Sequence, residues 1–293
     1  MMRKLQAGFF LISILFAGQA STVHAQQSSM VPPKILVVDR EVVKPGKEAA
    51  HQGTEGQIPK AFAKAKWGTH YIAANALSGE HRVVFLIGYD SFAAWEADNM
   101  ATAKNKSLSA DLDSLNSKDG DLLSGVSTLV MTLDPELSYN IDAPIPGMRY
   151  LDVTSVHLKP GHTDQFKELR KMVTEAHKTA GVKEHYAVYH LAAGGLAGTY
   201  FILIPMHSLA EEDQSDDAHG KAYKDAVGDE NRKKIVEFGR EGIDSAEGNI
   251  FAFDPGMSYP SQEWIDNDSE FWNPHPPAAS APKAKAKPTV KKN

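Results

Sequence analysis

The feature that most constrains the fold of this chain is a set of three short motifs that each occur twice, in the same order. The copies of the first two motifs are separated by 115 residues, and those of the third by 120. They are Lys-Pro-Gly at 44–46 and 159–161, His-Tyr at 70–71 and 185–186, and Asp-Pro-x-x-Ser-Tyr at 134–139 and 254–259. A shared order with a slowly growing separation predicts one duplicated unit with small insertions.

The segments around these motifs predict the same order of elements in each half. A β-branched run precedes each Lys-Pro-Gly, which is a turn signal. A helix follows, regular in the second half and broken in the first by Gly53, Gly56 and Pro59. Two strands joined by a glycine-containing turn, a polar helical region and a last strand complete each half. Asp-Pro is expected to end that last strand, because proline donates no ladder hydrogen bond.

The resulting order, βαββαβ, corresponds to the ferredoxin-like plan. One such unit leaves one face of its sheet uncovered, because its helices lie on the other face. The predicted fold class is therefore α+β, with two tandem ferredoxin-like repeats at 34–139 and 148–259 packed sheet to sheet as a pseudo-dimeric α+β barrel. The segment 140–147, which contains two prolines, is predicted to link them.

The segment 89–96, with the sequence YDSFAAWE, follows a predicted hairpin and opens a predicted helix. It resembles the dimeric α+β barrel superfamily, which includes antibiotic-biosynthesis-monooxygenase-like and NIPSNAP-like domains. The resemblance covers both repeats, although Glu212 stands in the second copy where the first has Trp95. It implies a fold rather than one activity, because the superfamily includes monooxygenases, haem-handling enzymes, isomerases and proteins with no known reaction.

The two ends of the chain differ in composition from its body. Arg3 and Lys4, an apolar run at 7–18 and Val23-His24-Ala25 have the layout of a cleaved signal sequence, so residues 1–25 are expected to be removed on export to the periplasm or the exterior. The apolar run is too short for a transmembrane anchor. The Ala, Pro and Lys-rich end, 274–293, is expected to be a disordered basic tail. It either solubilises the chain or contacts an anionic envelope surface.

The charge and the cysteine count exclude several classes of function. The formal net charge is -6 and both ends are basic, so the body is more acidic than the whole chain. An acidic body disfavours nucleic acid as a partner, because phosphates need a basic face. The chain has no cysteine, which excludes disulfides, thiolate metal ligands and a cysteine nucleophile.

Four residues are candidate ligand-binding residues: His70, Tyr71, Trp95 and His185. The two histidines hold equivalent places at the start of a strand, and a pseudo-twofold would bring their neighbourhoods together. Each can act as a base, an acid or a ligand near neutral pH, or can hydrogen-bond a nearby carbonyl. Strand alternation points Tyr71 away from the face that carries His70. A broken helix over an alanine-rich strand predicts a pocket in the first repeat, unless Trp95 fills that space.

No catalytic or cofactor motif is apparent in the sequence. There is no nucleophile elbow, phosphate-binding loop, His-Glu-x-x-His motif or short-spaced ligand pair, so neither a metal site nor a cofactor is predicted. Haem would need an axial histidine such as His177 or His219. The sequence therefore predicts a noncatalytic small-molecule-binding or structural protein, with a small apolar or aromatic ligand. Two alternatives stay open, a cofactor-independent monooxygenase-like enzyme and a haem-handling protein.

Overall fold

The computed structural model describes residues 31–142, 145–213 and 220–273. The expected signal sequence, 1–25, and the expected basic tail, 274–293, lie outside the described residues. The described part of the chain contains eight β-strands. They are β1 Ile35–Val43, β2 Tyr71–Ala76, β3 Arg82–Tyr89, β4 Leu123–Leu133, β5 Tyr150–Leu158, β6 Ala187–Ala193, β7 Thr199–Met206 and β8 Ile243–Tyr259.

Helices lie between the strands and after the last one. Those of the described residues are α1 Glu48–Glu55, α2 Ile58–Ala65, α3 Phe92–Lys104, α4 Lys106–Gly120, α5 Thr163–Ala180, α6 Lys221–Val227, α7 Asp229–Glu241, α8 Gln262–Asn267 and α9 Ser269–Trp272, with a 3-10 turn at Ile145–Gly147. The helix expected after the first Lys-Pro-Gly is split at Gly56 into α1 and α2, which confirms the predicted break. The corresponding α5 is continuous and ends at Gly181, whose φ of 64° suits glycine.

The eight strands form one closed barrel in the order β1-β3-β2-β8-β5-β7-β6-β4. All neighbouring pairs are antiparallel. Strands of the first half are adjacent in the order β4-β1-β3-β2, and those of the second in the order β8-β5-β7-β6. The barrel closes where β2 pairs with β8 and β4 pairs with β6, so none of the eight described strands has a free edge. The expected α+β barrel is confirmed, and its two strand sets meet edge to edge by hydrogen bonds.

Strand alternation gives the barrel a packed interior and a helix-covered exterior. In β1, Leu36 and Val38 belong to the interior cluster, whereas Ile35 and Val37 pack on the outer face beside Trp95 of α3. Both faces of the first part of this strand are therefore buried, which explains the apolar run at 35–38. The outer face of the first half packs on α1 to α4, and that of the second half packs on α5 and α7.

The repeated Asp-Pro-x-x-Ser-Tyr motif joins the two halves through exchanged hydrogen bonds. The Ser138 hydroxyl donates to its own motif at the Asp134 carbonyl, 2.8 Å away, and accepts from the Val188 amide of β6 at 2.9 Å. Ser258 accepts from the Ala73 amide of β2 at 2.9 Å. It also donates to the carbonyl four residues earlier at 2.6 Å. Each motif therefore contacts a strand of the other half.

The tyrosines of the same motif extend this exchange. The Tyr139 hydroxyl donates to the carbonyl of Val182 at 2.8 Å, and its ring packs against Tyr186. The Tyr259 hydroxyl donates to the carbonyl of Trp67 at 3.1 Å, and its ring stacks on Phe62 of α2. A buried tyrosine that satisfies its hydroxyl in this way contributes packing area and fixes orientation.

The end of the last strand differs between the halves. In the first half, β4 ends at Leu133, directly before Asp134-Pro135, as predicted. In the second half the prediction is wrong, because β8 continues through Pro255 to Tyr259. The register shifts there, since Ala73 pairs with Asp254 and Tyr71 with Tyr259. A bulge accommodates proline because the ladder is already interrupted at that point.

The folded part of the chain continues past residue 259 through α8 and α9. Trp272 of α9 is buried against Phe253, and its ring N–H donates to the carbonyl of Pro146 at 2.7 Å. Arg149 forms an ion pair with Asp268 at 2.7 Å. These contacts hold the C-terminal helices on the barrel. Among the described residues, no helix combines the length and apolar character that a membrane crossing requires.

Removing the serine hydroxyl of either motif should destabilise the whole barrel. Ser258→Ala leaves the buried Ala73 amide without its acceptor, which costs about 1–3 kcal/mol of unfolding free energy. Ser138→Ala should cost a similar amount at Val188. Ser245→Ala, at an exposed position, is the control and should change the unfolding free energy by less than about 0.5 kcal/mol. Denaturant unfolding measures all three, and equal effects of Ser258→Ala and Ser245→Ala would contradict the structural role.

Candidate functional site

An apolar cavity of about 110 Å³ lies inside the barrel at one end. Its wall consists of interior-facing side chains from seven of the eight strands, among them Ile72, Leu151, Tyr189, Leu203 and Phe253. Pro33, before β1, and Trp264, on α8, complete the lining. Because the wall is apolar, this cavity suits an apolar or aromatic molecule better than an ion.

Two of the predicted residues, His70 and His185, line this cavity from opposite halves of the chain. His70 Nδ1 lies 3.2 Å from the carbonyl oxygen of Tyr259, and His185 Nδ1 lies 2.9 Å from that of Asn140. A carbonyl only accepts, so both Nδ1 atoms donate, and each neutral ring keeps Nε2 as its acceptor. Burial lowers the pKa of His70, which favours the neutral form.

Tyr71 and Trp95 are placed differently. Tyr71 packs on the helix-facing side of β2 against Phe62 and Phe85, and it also reaches the edge of the interior cavity. Trp95 is half-buried on the outer face, with its ring 6.5 Å from that of Tyr89, and is not part of the cavity wall. The structure therefore brings His70, Tyr71 and His185 to one cavity and leaves Trp95 outside it. Both halves line this cavity, which differs from the pocket expected within the first repeat alone.

A second opening, a cleft of about 460 Å³, does lie within the first half. It separates the outer face of the sheet from the broken α1–α2 pair and from α4. Its lining combines the apolar side chains of Phe62 and Phe85 with the carboxylates of Glu41, Glu55 and Asp119. The predicted broken helix thus borders a cleft that Tyr71 lines, but the alanines of β2, His70 and Trp95 do not line it.

Four titratable residues meet beside this cleft: Glu41, His51, Glu55 and Asp119. One potential ligand atom from each lies within 4.8 Å of those of the others. His51 Nδ1 is 2.9 Å from Asp119 Oδ1, and His51 Nε2 is 3.7 Å from Glu41 Oε2. The second distance exceeds that of a hydrogen bond, and both of its atoms are buried without a hydrogen-bond partner. The hydroxyl of Tyr71 is also buried without a hydrogen-bond partner.

The environment of this cluster changes its acid–base properties. Burial, together with the negative charge of neighbouring carboxylates, raises the pKa of Glu41 to about 7. The same causes raise the pKa of Glu55 to about 8. Strongly raised carboxyl pKa values beside a cleft mark this cluster as a candidate functional site.

The sequence analysis missed this cluster. It overlooked that His51 and Glu55 lie four residues apart on one face of α1. That i, i+4 pair was the available signal. Glu41 and Asp119 were not predictable partners, because Asp119 is 68 residues from His51 in the chain.

No protein-family model matches the chain, and no curated protein is significantly similar in sequence. Solved structures share its fold. A candidate monooxygenase from Fusobacterium nucleatum matches with a TM-score of 0.51 at 13% identity, over 76% of this chain and 92% of that protein. An anthrone oxidase-like protein matches with a TM-score of 0.48 at 11% identity, over 80% of this chain and 97% of that protein. A mutant chlorite dismutase from Candidatus Nitrospira defluvii matches with a TM-score of 0.48 at 8% identity, over 81% of this chain and 97% of that protein. The first similarity supports the dimeric α+β barrel fold and, at this identity, nothing about the reaction.

The surroundings of two histidines, His177 and His51, do not fit an axial haem ligand. Between α5 and its sheet, where His177 lies, the space is filled by Phe166, Tyr200 and Phe238. His51 Nε2 faces the Glu41 carboxylate at 3.7 Å, which leaves no room for a macrocycle between them. His219, the other expected candidate, lies outside the described residues.

Glu55→Gln should make the stability of the protein less dependent on pH. The folded state favours the protonated carboxyl, because burial raises its pKa from 4.5 to about 8. Stability is therefore greatest below the unfolded pKa and falls as the pH rises towards about 8. With EDTA present, the unmodified chain should lose unfolding free energy from about pH 5 to about pH 9, and the variant should lose roughly 2–4 kcal/mol less. Glu96→Gln, at an exposed glutamate, is the control. If the unfolding free energies of Glu55→Gln and of the unmodified chain changed equally with pH, the burial argument would be refuted.

Proposed function

We propose that the chain is an exported, noncatalytic binding protein for a small apolar or aromatic molecule held inside the barrel. The observation that carries this proposal is the apolar cavity with His70 and His185 in its wall, one from each half. The apolar wall contributes affinity by releasing poorly held water, and the imidazoles contribute selectivity. The volume of about 110 Å³ suits a ligand of about one ring, since cavities of roughly 150 Å³ accept benzene.

The imidazole acceptors define the polar part of the proposed ligand. Both Nδ1 atoms are engaged by backbone carbonyls, so the Nε2 atoms are the acceptors that each neutral ring can offer. A ligand hydroxyl would satisfy such an acceptor, whereas a purely apolar ligand would leave it unpaired. We therefore infer a preference for phenol-like over hydrocarbon ligands.

A second candidate function uses the same cavity. It is the cofactor-independent oxygenation of a hydroxylated aromatic compound, and the observation that favours it is the position of His70 in the cavity wall. Burial lowers the pKa of this histidine, so it can accept a proton from a bound phenol. The Fusobacterium nucleatum protein of the same fold is described as a candidate monooxygenase. Oxygen consumption with a hydroquinone, lost in His70→Gln, would favour this candidate over simple binding.

We also propose that the barrel arose by tandem duplication of a ferredoxin-like unit. The matched motif offsets support it, as do matched contacts: Ser138 binds β6 as Ser258 binds β2. The two strand orders, β4-β1-β3-β2 and β8-β5-β7-β6, are also equivalent. Separate evolution would require the same exchanged serine to arise twice.

Export is the remaining part of the proposal and rests on the composition of residues 1–25. The exported form should begin at Gln26, because Val23-His24-Ala25 carries small or modest side chains at the cleavage positions. N-terminal sequencing of protein recovered outside the cytoplasm checks this. A chain that keeps Arg3 and Lys4 would refute cleavage.

Ligand binding inside the barrel should depend on cavity volume and on the histidines. Phenol should bind more tightly than toluene, by about 1 kcal/mol, because its hydroxyl satisfies an imidazole acceptor. Ala187→Leu adds volume to the cavity wall and should weaken the binding of both ligands more than about ten-fold, with folding of the variant checked by its melting temperature. His70→Leu combined with His185→Leu should abolish the preference for phenol. Calorimetric titration measures these affinities.

The matched control for the volume change is Ala93→Leu, at an exposed position of α3 outside the cavity wall. It should leave both affinities unchanged. Equal binding of phenol and toluene to the unmodified chain and to Ala187→Leu would contradict the proposed site.

A further inference from the structure

The cluster beside the first-half cleft is independent of the barrel cavity and has its own chemistry. Glu41 lies on β1, His51 and Glu55 lie on α1, and Asp119 lies in the last turn of α4. Three separate elements thus bring their side chains to one point on the outer face of the sheet. His51, Glu55 and Asp119 are 2%, 4% and 2% exposed, so water does not screen their charges.

The cluster would carry an excess of negative charge with its carboxyl groups ionised, as binding of a metal ion requires. Three carboxylates surround one imidazole, and the charged neighbours that act on Glu41 and Glu55 are other carboxylates, including Asp39. In the described part of the chain, no lysine or arginine forms an ion pair with any of the three. Buried charges of one sign are costly unless a counter-charge is present. A bound cation would supply that counter-charge.

The orientation of His51 also suits a cation. Asp119 holds Nδ1 at 2.9 Å, which leaves Nε2 buried, unpartnered and directed at the unpartnered Oε2 of Glu41. A carboxylate on one ring nitrogen is the usual partner of a histidine whose other nitrogen binds a metal. A tetrahedral ion with bonds of about 2.1 Å holds its ligands about 3.4 Å apart, close to the observed 3.7 Å.

The second half shows that the fold does not require these polar groups. At an offset of 115 residues, Glu41, His51 and Glu55 correspond to Val156, Phe166 and Arg170. Val156 and Phe166 are core residues there, and the Arg170 guanidinium lies over the Tyr186 ring. Apolar side chains thus stand where the first half has Glu41 and His51, and a buried arginine of opposite charge stands where it has Glu55.

We propose that the first half binds one divalent transition-metal ion through His51 Nε2 and the carboxylates of Glu41 and Glu55, with Asp119 orienting the imidazole. One nitrogen and carboxylate oxygens suit Zn²⁺, Mn²⁺, Fe²⁺ or Co²⁺. The cleft of about 460 Å³ beside the cluster leaves room for a further ligand, near the unpartnered hydroxyl of Tyr71. Nothing in this proposal depends on the barrel cavity.

Metal titration of the exported chain, freed of metal by EDTA and dialysis, tests the proposal. Zn²⁺ and Mn²⁺ should each bind at one ion per chain by calorimetry and raise the melting temperature. Co²⁺ should give a visible absorption band. Glu41→Gln and Glu55→Gln should each weaken binding by more than about 100-fold, since each removes a ligand, and Asp119→Asn by about 10–100-fold.

The control is Glu211→Gln, which removes the carboxylate from an exposed His207–Glu211 pair and should leave binding unchanged. Circular dichroism in EDTA verifies folding, and Glu55→Gln should fold because it replaces a buried carboxyl with a neutral amide of the same shape. Absence of binding at one ion per chain would overturn the proposal. Binding that Glu41→Gln and Glu55→Gln do not weaken would overturn it equally, by placing the ion elsewhere.

Discussion

The structure depends on one constraint, that β2 and β4 of the first half find their outer neighbours only in the second half. β8 pairs with β2, and β6 pairs with β4, and these two seams close the barrel. An open four-stranded set would expose two edges and one apolar face to water. The exchanged hydrogen bonds of Ser138 and Ser258 lie at these seams. Both histidines also lie at these seams, because His70 donates to the carbonyl of the motif residue Tyr259 and His185 donates to that of Asn140, which follows Tyr139. Closure of the barrel therefore creates the interior cavity and places both imidazoles in its wall.

The two outer faces of the barrel have diverged although their strands are equivalent. The second half buries Phe166, Tyr200 and Phe238 between its helices and its sheet. The first half has a broken helix, a cleft and a buried cluster of carboxylates in the corresponding place. Aromatic packing stabilises the fold, whereas buried carboxylates of like charge oppose it. The second half thus stabilises the fold, whereas the first half tolerates a destabilising cluster. Such a local cost is expected where a site has a chemical role.

The sequence predicted the fold well because its signals are local or repeated. Turn motifs, β-branched runs and the broken first helix fixed the elements, and the matching offsets indicated that two equivalent units cover each other. The extension of β8 through Pro255 was missed, because a bulge is decided by the partner strand rather than by proline itself. Of the candidate residues, His70 and His185 were indicated by the repeat and line the cavity. Trp95 was expected to line a pocket but packs on the outer face. Asp119 could not be assigned to His51, since only the packing of α4 on α1 brings them together.

Hydrogen exchange at individual amides tests most directly whether the barrel is one unit closed by the two seams. The seam amides of Ala73 and Val188, bound by the exchanged serines, should exchange only with global unfolding. Their opening free energies should equal those of amides between β1 and β3, within the first half. Seam amides that open at a much lower free energy than β1–β3 would contradict the account, since the two halves would then be separate domains in loose contact.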